Sequence, residues 1–168
     1  GYIGSHISEI LIKNNKKIFI IDNLSTGFKI LINKKAFFYN LDILNTTKLR
    51  KIIFEKKIDS VIHLAASLSI GIGEKYPKLY YKNNVLGTKS LLKACNNSLV
   101  KNFIFSSTAA VYKDKQNIVN EKSKILPKSV YGKTKLLAEK IIISYCKKEK
   151  INYGVLRYFN VCGASPSG

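Results

Sequence analysis

The chain opens on a glycine-rich turn, Gly1-Tyr2-Ile3-Gly4, which leads into apolar residues at helical spacing and then into a short apolar run that ends at Asp22. A glycine turn that starts a helix, followed by a strand with an acidic residue about twenty positions on, is typical of the second half of a βαβ nucleotide-binding unit. The glycines let the backbone approach a pyrophosphate. Asp22 can accept hydrogen bonds from an adenosine ribose, which favours NAD over NADP. An ordinary turn is the alternative, but the strand and Asp22 at this distance favour a nucleotide site.

The rest of the chain alternates short apolar runs with helical patterns, which predicts an α/β fold with a doubly wound, Rossmann-type parallel sheet. The predicted strands cover 17–22, 36–41, 60–65, a run that starts at 103–105, and 152–159; the predicted helices run from a cap at 45 or 46 to 54, over 77–97 and over 131–148. In this fold the first strand lies in the middle of the sheet. The chain begins after it, so strands 17–22 and 36–41 are expected to lack a direct edge that pairs with the other strands. We therefore expect residues 1–168 to form a partial, truncated NAD-binding domain without the C-terminal substrate domain.

A hydroxyl cluster and a Tyr-x-x-x-Lys pair are the candidate chemistry. Thr108 ends the strand that starts at Phe103, and Tyr131 and Lys135 lie one turn apart near the start of the last predicted helix. Residues at i and i+4 share a helix face, so Lys135 is expected to lower the pKa of Tyr131 from about 10 towards the range of a general base. A surface helix explains the pair alone, and backbone hydrogen bonds explain the hydroxyls alone; together they favour an active site. Leu136, Leu137, Ile141 and Tyr145 are expected to pack inward.

The composition invites a nucleic-acid interpretation but does not favour it. The formal net charge is +19 with a pI near 9.9, yet Arg50 and Arg157 are the only arginines among 29 basic residues, and the lysines are scattered. Few arginines leave few candidates for bidentate base recognition. A non-catalytic basic binding module stays an alternative. Three separated cysteines predict neither disulfides nor a metal site, and no apolar run is long enough to span a bilayer, so a cytoplasmic protein without membrane contact is expected.

The motifs GYIGSH, DNLSTG, VIHLAA, YYKNNVLGT, FIFSSTAAVY, YGKTKLLAE and LRYFNVCGASPSG occur in one order. In that order they resemble the extended short-chain dehydrogenase family, and within it the epimerases that interconvert UDP-glucose and UDP-galactose. The resemblance implies a tightly held NAD, a UDP-sugar substrate and a homodimer for the intact family member. It implies that Tyr131 removes the proton of the sugar 4-hydroxyl, that Thr108 hydrogen-bonds this oxygen, and that Lys135 holds the nicotinamide ribose. Dehydratases of the family carry an Asp-Glu pair where this chain has Ala109 and Ala110, so epimerisation is preferred to water loss.

The same resemblance implies the contact residues. The expected NAD contacts are Gly1, Tyr2, Ile3, Gly4, Asp22, Asn23, Leu24, Ser25, Thr26, Gly27, Asp42, Ile43, Leu64, Ala65, Ala66, Ser67, Leu68, Asn83, Thr108, Tyr131, Lys135 and Phe159; the expected substrate contacts are Thr108, Tyr131 and Asn160. Asn83 and Asn84, taken without the resemblance, are equally well explained as cofactor contacts or as a solvated edge. The sequence departs from the family at Lys113 and over 67–74. Because the uridine pocket lies beyond this chain, an epimerase or decarboxylase acting on another nucleotide sugar stays open, and little bound NAD and weak or no activity are expected.

Overall fold

A computed structural model describes residues 1–113 and 118–164. The α-helices are α1 Tyr2–Lys13, α2 Thr46–Glu55, α3 Ile70–Lys75, α4 Pro77–Tyr80, α5 Gly87–Cys95 and α6 Val130–Lys148; the strands are β1 Phe19–Asp22, β2 Phe37–Asn40, β3 Ser60–His63, β4 Asn102–Thr108 and β5 Asn152–Tyr158. A π-helical turn, Tyr81–Leu86, joins α4 to α5, and short 3₁₀ turns cover Lys29–Leu31 and Ala109–Val111. Residues 114–117, within the loop predicted over 113–128, and residues 165–168 lie outside the described part.

The strands form two parallel sheets. β1 pairs with β2, and the second sheet has the order β3-β4-β5. In the described residues no strand of one sheet pairs with a strand of the other. This agrees with the sequence, which predicted that the first two strands lack an edge in common with the others. All pairs within the sheets are parallel, as the alternation of strands and helices predicted.

The core lies between the three-stranded sheet and the helices α2, α5 and α6. Its fully buried members come from all four parts: Leu49, Ile53, Leu91, Leu92, Ala94, Cys95, Val100, Phe103, Phe105, Ala138, Ile142 and Cys146. The cap of α2 is Asn45, whose side chain accepts a hydrogen bond from the Lys48 amide and so satisfies a free donor of the first turn. Cys95, Cys146 and Cys162 are free thiols, as predicted.

The prediction of a buried strand over 60–65 is wrong in two respects. β3 ends at His63, so residues 64–66 follow the strand. Ile62 is 36 % exposed and Val61 is only partly buried. The reason is that β3 is the edge strand of its sheet, so it has no neighbouring strand on one side to cover its apolar residues.

The predicted inward face of α6 is confirmed for Ile141 and Tyr145, which are partly buried and pack against the core. It is wrong for Leu137, which is 38 % exposed, while Leu136 is partly buried. The fully buried positions of the helix are Gly132, Thr134, Lys135, Ala138, Glu139, Ile142 and Cys146. Several of these side chains are small or polar, so the hydrophobic pattern of the sequence did not select them. In the described residues no helix is long and apolar enough to cross a membrane.

Candidate active site

Thr108 and Tyr131 meet where β4 ends and α6 begins. Thr108 is the last residue of β4, and its side-chain oxygen accepts a hydrogen bond from the Ala110 amide at 3.1 Å. Ser129 caps α6 by accepting from the Gly132 amide at 3.0 Å, which places Tyr131 in the first turn. The Thr108 side chain hydrogen-bonds the Tyr131 phenol, and this contact partly opposes the rise in the pKa of Tyr131 that burial causes. The structure therefore brings these two predicted residues together.

Gly132 makes this close approach possible. A β-carbon at residue 132 would lie 2.5 Å from the carbonyl oxygen of Ala110 and 3.1 Å from Cβ of Pro127. Contacts under 3 Å with backbone atoms are not tolerated, so only glycine lets the first turn of α6 pack against the turn that follows β4. The sequence analysis did not single out this glycine, although it lies inside the Tyr-x-x-x-Lys motif.

The pKa of Tyr131 is raised, not lowered. Burial of the phenol is the largest cause, the hydrogen bond with Thr108 opposes it, and the nearby Tyr80 raises the pKa further. Burial disfavours the charged phenolate because it removes solvent. Burial therefore moves the pKa of Tyr131 away from neutrality, and any lowering must come from positive charge near the phenol.

Lys135 is the buried cation of the site. Its side chain is 2 % exposed, and Nζ lies 4.3 Å from the ring centroid of Phe105 on β4. Among the described residues the ammonium has no hydrogen-bond acceptor and no ion pair within 4.0 Å. Burial lowers the pKa of Lys135 to about 7, and the negative charge of Glu139 partly offsets that lowering. At neutral pH the residue is thus poised between its charged and neutral forms, with unused donors.

The opening glycine turn lies at the ends of β1 and β3. A β-carbon at Gly4 would lie 3.4 Å from Cδ1 of Leu64, directly after β3. A β-carbon at Gly27 would lie 3.2 Å from Oδ2 of Asp22 and 3.5 Å from the backbone nitrogen of Gly1. The N-terminus of α1, the end of β1 and the following loop therefore enclose one corner, where the sequence predicted the adenosine ribose.

Two carboxylates shape the loop that follows β1. Oδ1 of Asp22 accepts a hydrogen bond from the Leu24 amide at 2.8 Å, and Leu24 has a positive φ of 57°. The Asn23 side chain donates to Oδ2 of Asp42 at 2.9 Å, and it accepts from the Ser25 amide. These contacts hold the loop against the end of β2, so the predicted residues 22–25 and 42 form one connected group.

The segment after β3 is held by two asparagines of the π-helical turn. Asn83 donates to the Ser67 hydroxyl at 2.8 Å, whereas Asn84 accepts from the Ser67 amide at 2.8 Å and donates to its carbonyl at 3.1 Å. Asn84 also donates to Thr134 on α6, and it is 2 % exposed. A solvated edge is therefore wrong for Asn84, which links the loop to the helix that carries Tyr131.

The remaining predicted residues lie around the same ends of the strands with fewer contacts. The Tyr2 hydroxyl donates to the Gly163 carbonyl at 2.6 Å, which joins the start of α1 to the segment after β5. Phe159 is 66 % exposed and Asn160 is also exposed, directly beyond β5. In the described ranges no hydrogen bond, ion pair or ring contact joins them to Tyr131. The others in this group are Ile3, Thr26, Ile43, Ala65, Ala66 and Leu68.

Sequence reasoning missed the residues behind the site. Gly132 acts through close packing, which no local pattern reveals, although it lies within the Tyr-x-x-x-Lys motif. Glu139 and Arg157 form a salt bridge at 2.8 Å, and Glu139 is 1 % exposed. The spacing of Tyr131, Lys135 and Glu139, at four-residue steps, was the available signal. The described part of the chain contains no group of His, Cys, Asp and Glu that could hold a metal.

The fold defines a class: an α/β protein with the parallel sheets of a Rossmann-type fold, in which Thr108 ends β4 and Tyr131 and Lys135 lie in α6. The chain matches the model of the NAD dependent epimerase/dehydratase family over residues 1–168. It belongs to that family.

Individual relatives point in the same direction. The chain is 42 % identical over 169 residues to the UDP-glucose 4-epimerase of Lactobacillus helveticus, covering 100 % of this chain and 51 % of the relative. The UDP-glucose 4-epimerase of Brucella ovis, solved in complex with NAD, superposes with a TM-score of 0.93 at 37 % identity over 99 % of this chain and 51 % of that one. The enzyme of Thermotoga maritima, solved with UDP-glucose, gives a TM-score of 0.93 at 34 % identity, with 97 % and 54 % covered. The chain thus spans about half the length of the relatives it matches.

Proposed function

We propose that this chain binds NAD and carries the catalytic residues of an enzyme that interconverts UDP-glucose and UDP-galactose by transient oxidation at C4 of the sugar. Residues 1–168 are, on this proposal, part of the NAD-binding domain. The observation that carries it is the contact of Thr108 with Tyr131 where β4 meets α6, with Lys135 one turn further along that helix, buried and facing Phe105 of β4. Relatives named UDP-glucose 4-epimerase support the choice of substrate.

The residues present fit NAD. The Lys135 ammonium makes no hydrogen bond with the described residues, so its donors are free, and a ribose hydroxyl would accept a hydrogen bond from it. At the other end, one oxygen of Asp22 is occupied by the Leu24 amide, and Oδ2 faces the corner formed with Gly1 and Gly27. That oxygen is a suitable acceptor for a second ribose. When bound, NAD would take the hydride from C4 and later return it.

The chain's own residues handle the proton. The Tyr131 oxygen would accept the proton of the sugar 4-hydroxyl, and the Thr108 hydroxyl, already within hydrogen-bonding reach of the phenol, would orient the same sugar oxygen. Because burial raises the pKa of Tyr131, the phenolate needs a positive charge beside it. Lys135, one turn further along the same face of α6, is the cation that the chain offers. Ala109 and Ala110 provide no acid or base for water loss.

The test measures NAD binding by calorimetry and conversion of UDP-galactose to UDP-glucose with NAD in excess, for the wild type, Tyr131→Phe and Tyr153→Phe. Loss of the proton acceptor should lower turnover by about 100-fold or more, with NAD affinity unchanged within a few-fold. Tyr153 is 40 % exposed near the start of β5 and serves as the matched control; its variant should behave as the wild type. A wild type that does not bind NAD even at millimolar concentration, or a Tyr131→Phe variant that converts the sugar as fast as the wild type, would refute the proposal.

The same family resemblance leads us to include in the proposal a homodimer of the intact family member and a cytoplasmic location. Analytical ultracentrifugation of a protein of the relatives' full length would test the first point, with a single species at twice the monomer mass as the expected result. No helix among the described residues could span a membrane, and fractionation of cells would test the cytoplasmic location.

A further inference from the structure

A buried carboxylate lies one turn behind the Tyr-Lys pair. Glu139 follows Lys135 by four residues on α6, as Lys135 follows Tyr131, so the three side chains lie along one face of the helix. Glu139 is 1 % exposed. A carboxylate is almost never buried to this extent unless it is paired, so its partners indicate what it does.

The partners of Glu139 come from both strands beneath α6. Arg157 on β5 donates from Nε to Oε1 at 3.0 Å and from Nη2 to Oε2 at 2.8 Å. The hydroxyl of Ser107, the residue before Thr108 on β4, also donates to Oε1. Arg157 in turn donates from Nη1 to the Tyr112 hydroxyl at 3.1 Å. One carboxylate thus ties α6 to β5 and to the end of β4 next to Thr108.

The same carboxylate is the nearest negative charge to the buried ammonium. Lys135 faces the neutral ring of Phe105 on β4 and the buried His63 of β3. Burial and the nearby Lys135 lower the pKa of His63 to about 3, so this imidazole is neutral and does not add a second cation at physiological pH. Tyr131 is protonated unless a base removes its proton. Among the residues that the structure describes, Glu139 is the one whose negative charge offsets the burial of the ammonium.

We propose that Glu139 is a positioning residue of this site, which fixes α6 against Thr108 through Ser107 and Arg157 and supplies the countercharge that keeps Lys135 protonated. The inference rests on the proposed function for its role in turnover. Its electrostatic part concerns this chain alone and is testable without any substrate. If Glu139 becomes neutral, Arg157 is left without its partner close to Lys135, and both changes disfavour the ammonium.

The experiment replaces the carboxylate with its isosteric amide, Glu139→Gln, and follows the Nζ resonance of Lys135 by NMR on protein labelled at lysine. The resonance is identified by its loss in Lys135→Met. The midpoint of the Lys135 titration should fall by about one unit or more, the effect of removing a nearby opposite charge. Glu149→Gln is the matched control, because Glu149 directly follows α6 and its ion pair among the described residues is with the exposed Lys148, at 3.8 Å. In this variant the midpoint of the Lys135 titration should not move.

Activity provides the second measurement. The alkaline limb of the pH–rate profile should move to lower pH in Glu139→Gln by the same amount as the NMR midpoint. A variant that loses stability while both the midpoint and the limb stay in place would show a merely structural residue and overturn the inference. If the wild type shows no turnover, the titration of Lys135 alone decides the inference, and an unmoved midpoint in Glu139→Gln overturns it. Failure of the proposed function is seen separately, as absence of NAD binding by the wild type.

A double variant covers the case in which Glu139→Gln folds poorly. If the Glu139 carboxylate stabilises the charged form of Lys135, Glu139→Gln should reduce the folding equilibrium constant by a much smaller factor in the Lys135→Met variant than in the wild type. An equal reduction in both backgrounds would mean that the two side chains are not coupled, and the countercharge would be rejected.

Discussion

Removal of the Lys135 ammonium should stabilise the fold at neutral pH. The side chain is 2 % exposed, and burial lowers its pKa from 10.5 to about 7. At about 1.4 kcal/mol per unit, that difference corresponds to about 5 kcal/mol by which the folded state disfavours the charged form. Methionine keeps the length of the stem and has no charge, but it gives up the cation–π contact with Phe105, at 4.3 Å, which is worth about 2 kcal/mol. We therefore expect Lys135→Met to be more stable by about 3 kcal/mol at pH 6.5.

The pH dependence gives the sharper form of this prediction. Below pH 7 the amine is protonated in both the folded and the unfolded chain, so the full destabilisation applies. Between about 7 and 10.5 the unfolded chain binds more protons than the folded one, so the free energy of unfolding rises with pH. Above 10.5 both forms are neutral and the contribution vanishes. Lys135→Met should lack this rise, and its advantage over the wild type should shrink as the pH increases.

The measurement is urea unfolding followed by circular dichroism at pH 6.5, 8 and 9.5. Lys133→Met, two residues away on the exposed side of α6, is the control and should keep the slope of the wild type. If Lys135→Met shows the same slope as the wild type, or is less stable at pH 6.5, the ammonium is not the buried, destabilising group described here.

Two further changes test the neighbourhood of the site. Burial, with a smaller effect of Lys135, lowers the pKa of His63 to about 3 from 6.5, so stability should fall by up to about 5 kcal/mol as the pH drops through that window; His63→Gln should flatten the acid limb of unfolding, and an unchanged limb would contradict the assignment. Gly132→Ala places a β-carbon 2.5 Å from the Ala110 oxygen, so it should cost about 1–3 kcal/mol and lower turnover by moving Tyr131 away from Thr108. Gly154→Ala, where a β-carbon meets nothing within 4 Å, is its control, and equal losses in the two variants would refute the packing argument.

The helices and strands could be predicted from the sequence because hydrophobic periodicity and turn residues depend only on neighbouring positions in the chain. Glycines at the start of α1, the Asn45 cap and the short apolar runs each specify their own element, and the spacing of Tyr131 and Lys135 follows from helix geometry alone. What local patterns do not contain is the distance between elements. The turn of Asn84 around Ser67 and the contact of Gly132 with the chain after β4 depend on how separate segments pack, so neither could be read from its own motif.

The buried face of α6 bears on function. Hydrophobic periodicity selected Ile141, which packs against the core, and Leu137, which is exposed, but it did not select the buried Lys135 and Glu139. Glu139 is paired with Arg157 and Ser107, whereas Lys135 has no ion pair among the described residues. Burial of an unpaired cation lowers stability. Local rules are expected to fail where function opposes stability.

The same trade-off extends to the strand beside the helix. His63 lies in the core with its Nε2 atom 2.9 Å from the Thr88 hydroxyl, and that hydroxyl donates to the Asn84 carbonyl at 2.7 Å. Because Asn84 reaches Thr134 on α6, the neutral imidazole belongs to a hydrogen-bonded path that ends one residue before Lys135. Protonation of His63 would place a second cation near the ammonium. Burial is the largest cause of the lowered pKa of both His63 and Lys135, and the charge of Lys135 lowers the pKa of His63 further, so the two neighbouring groups oppose each other's protonation.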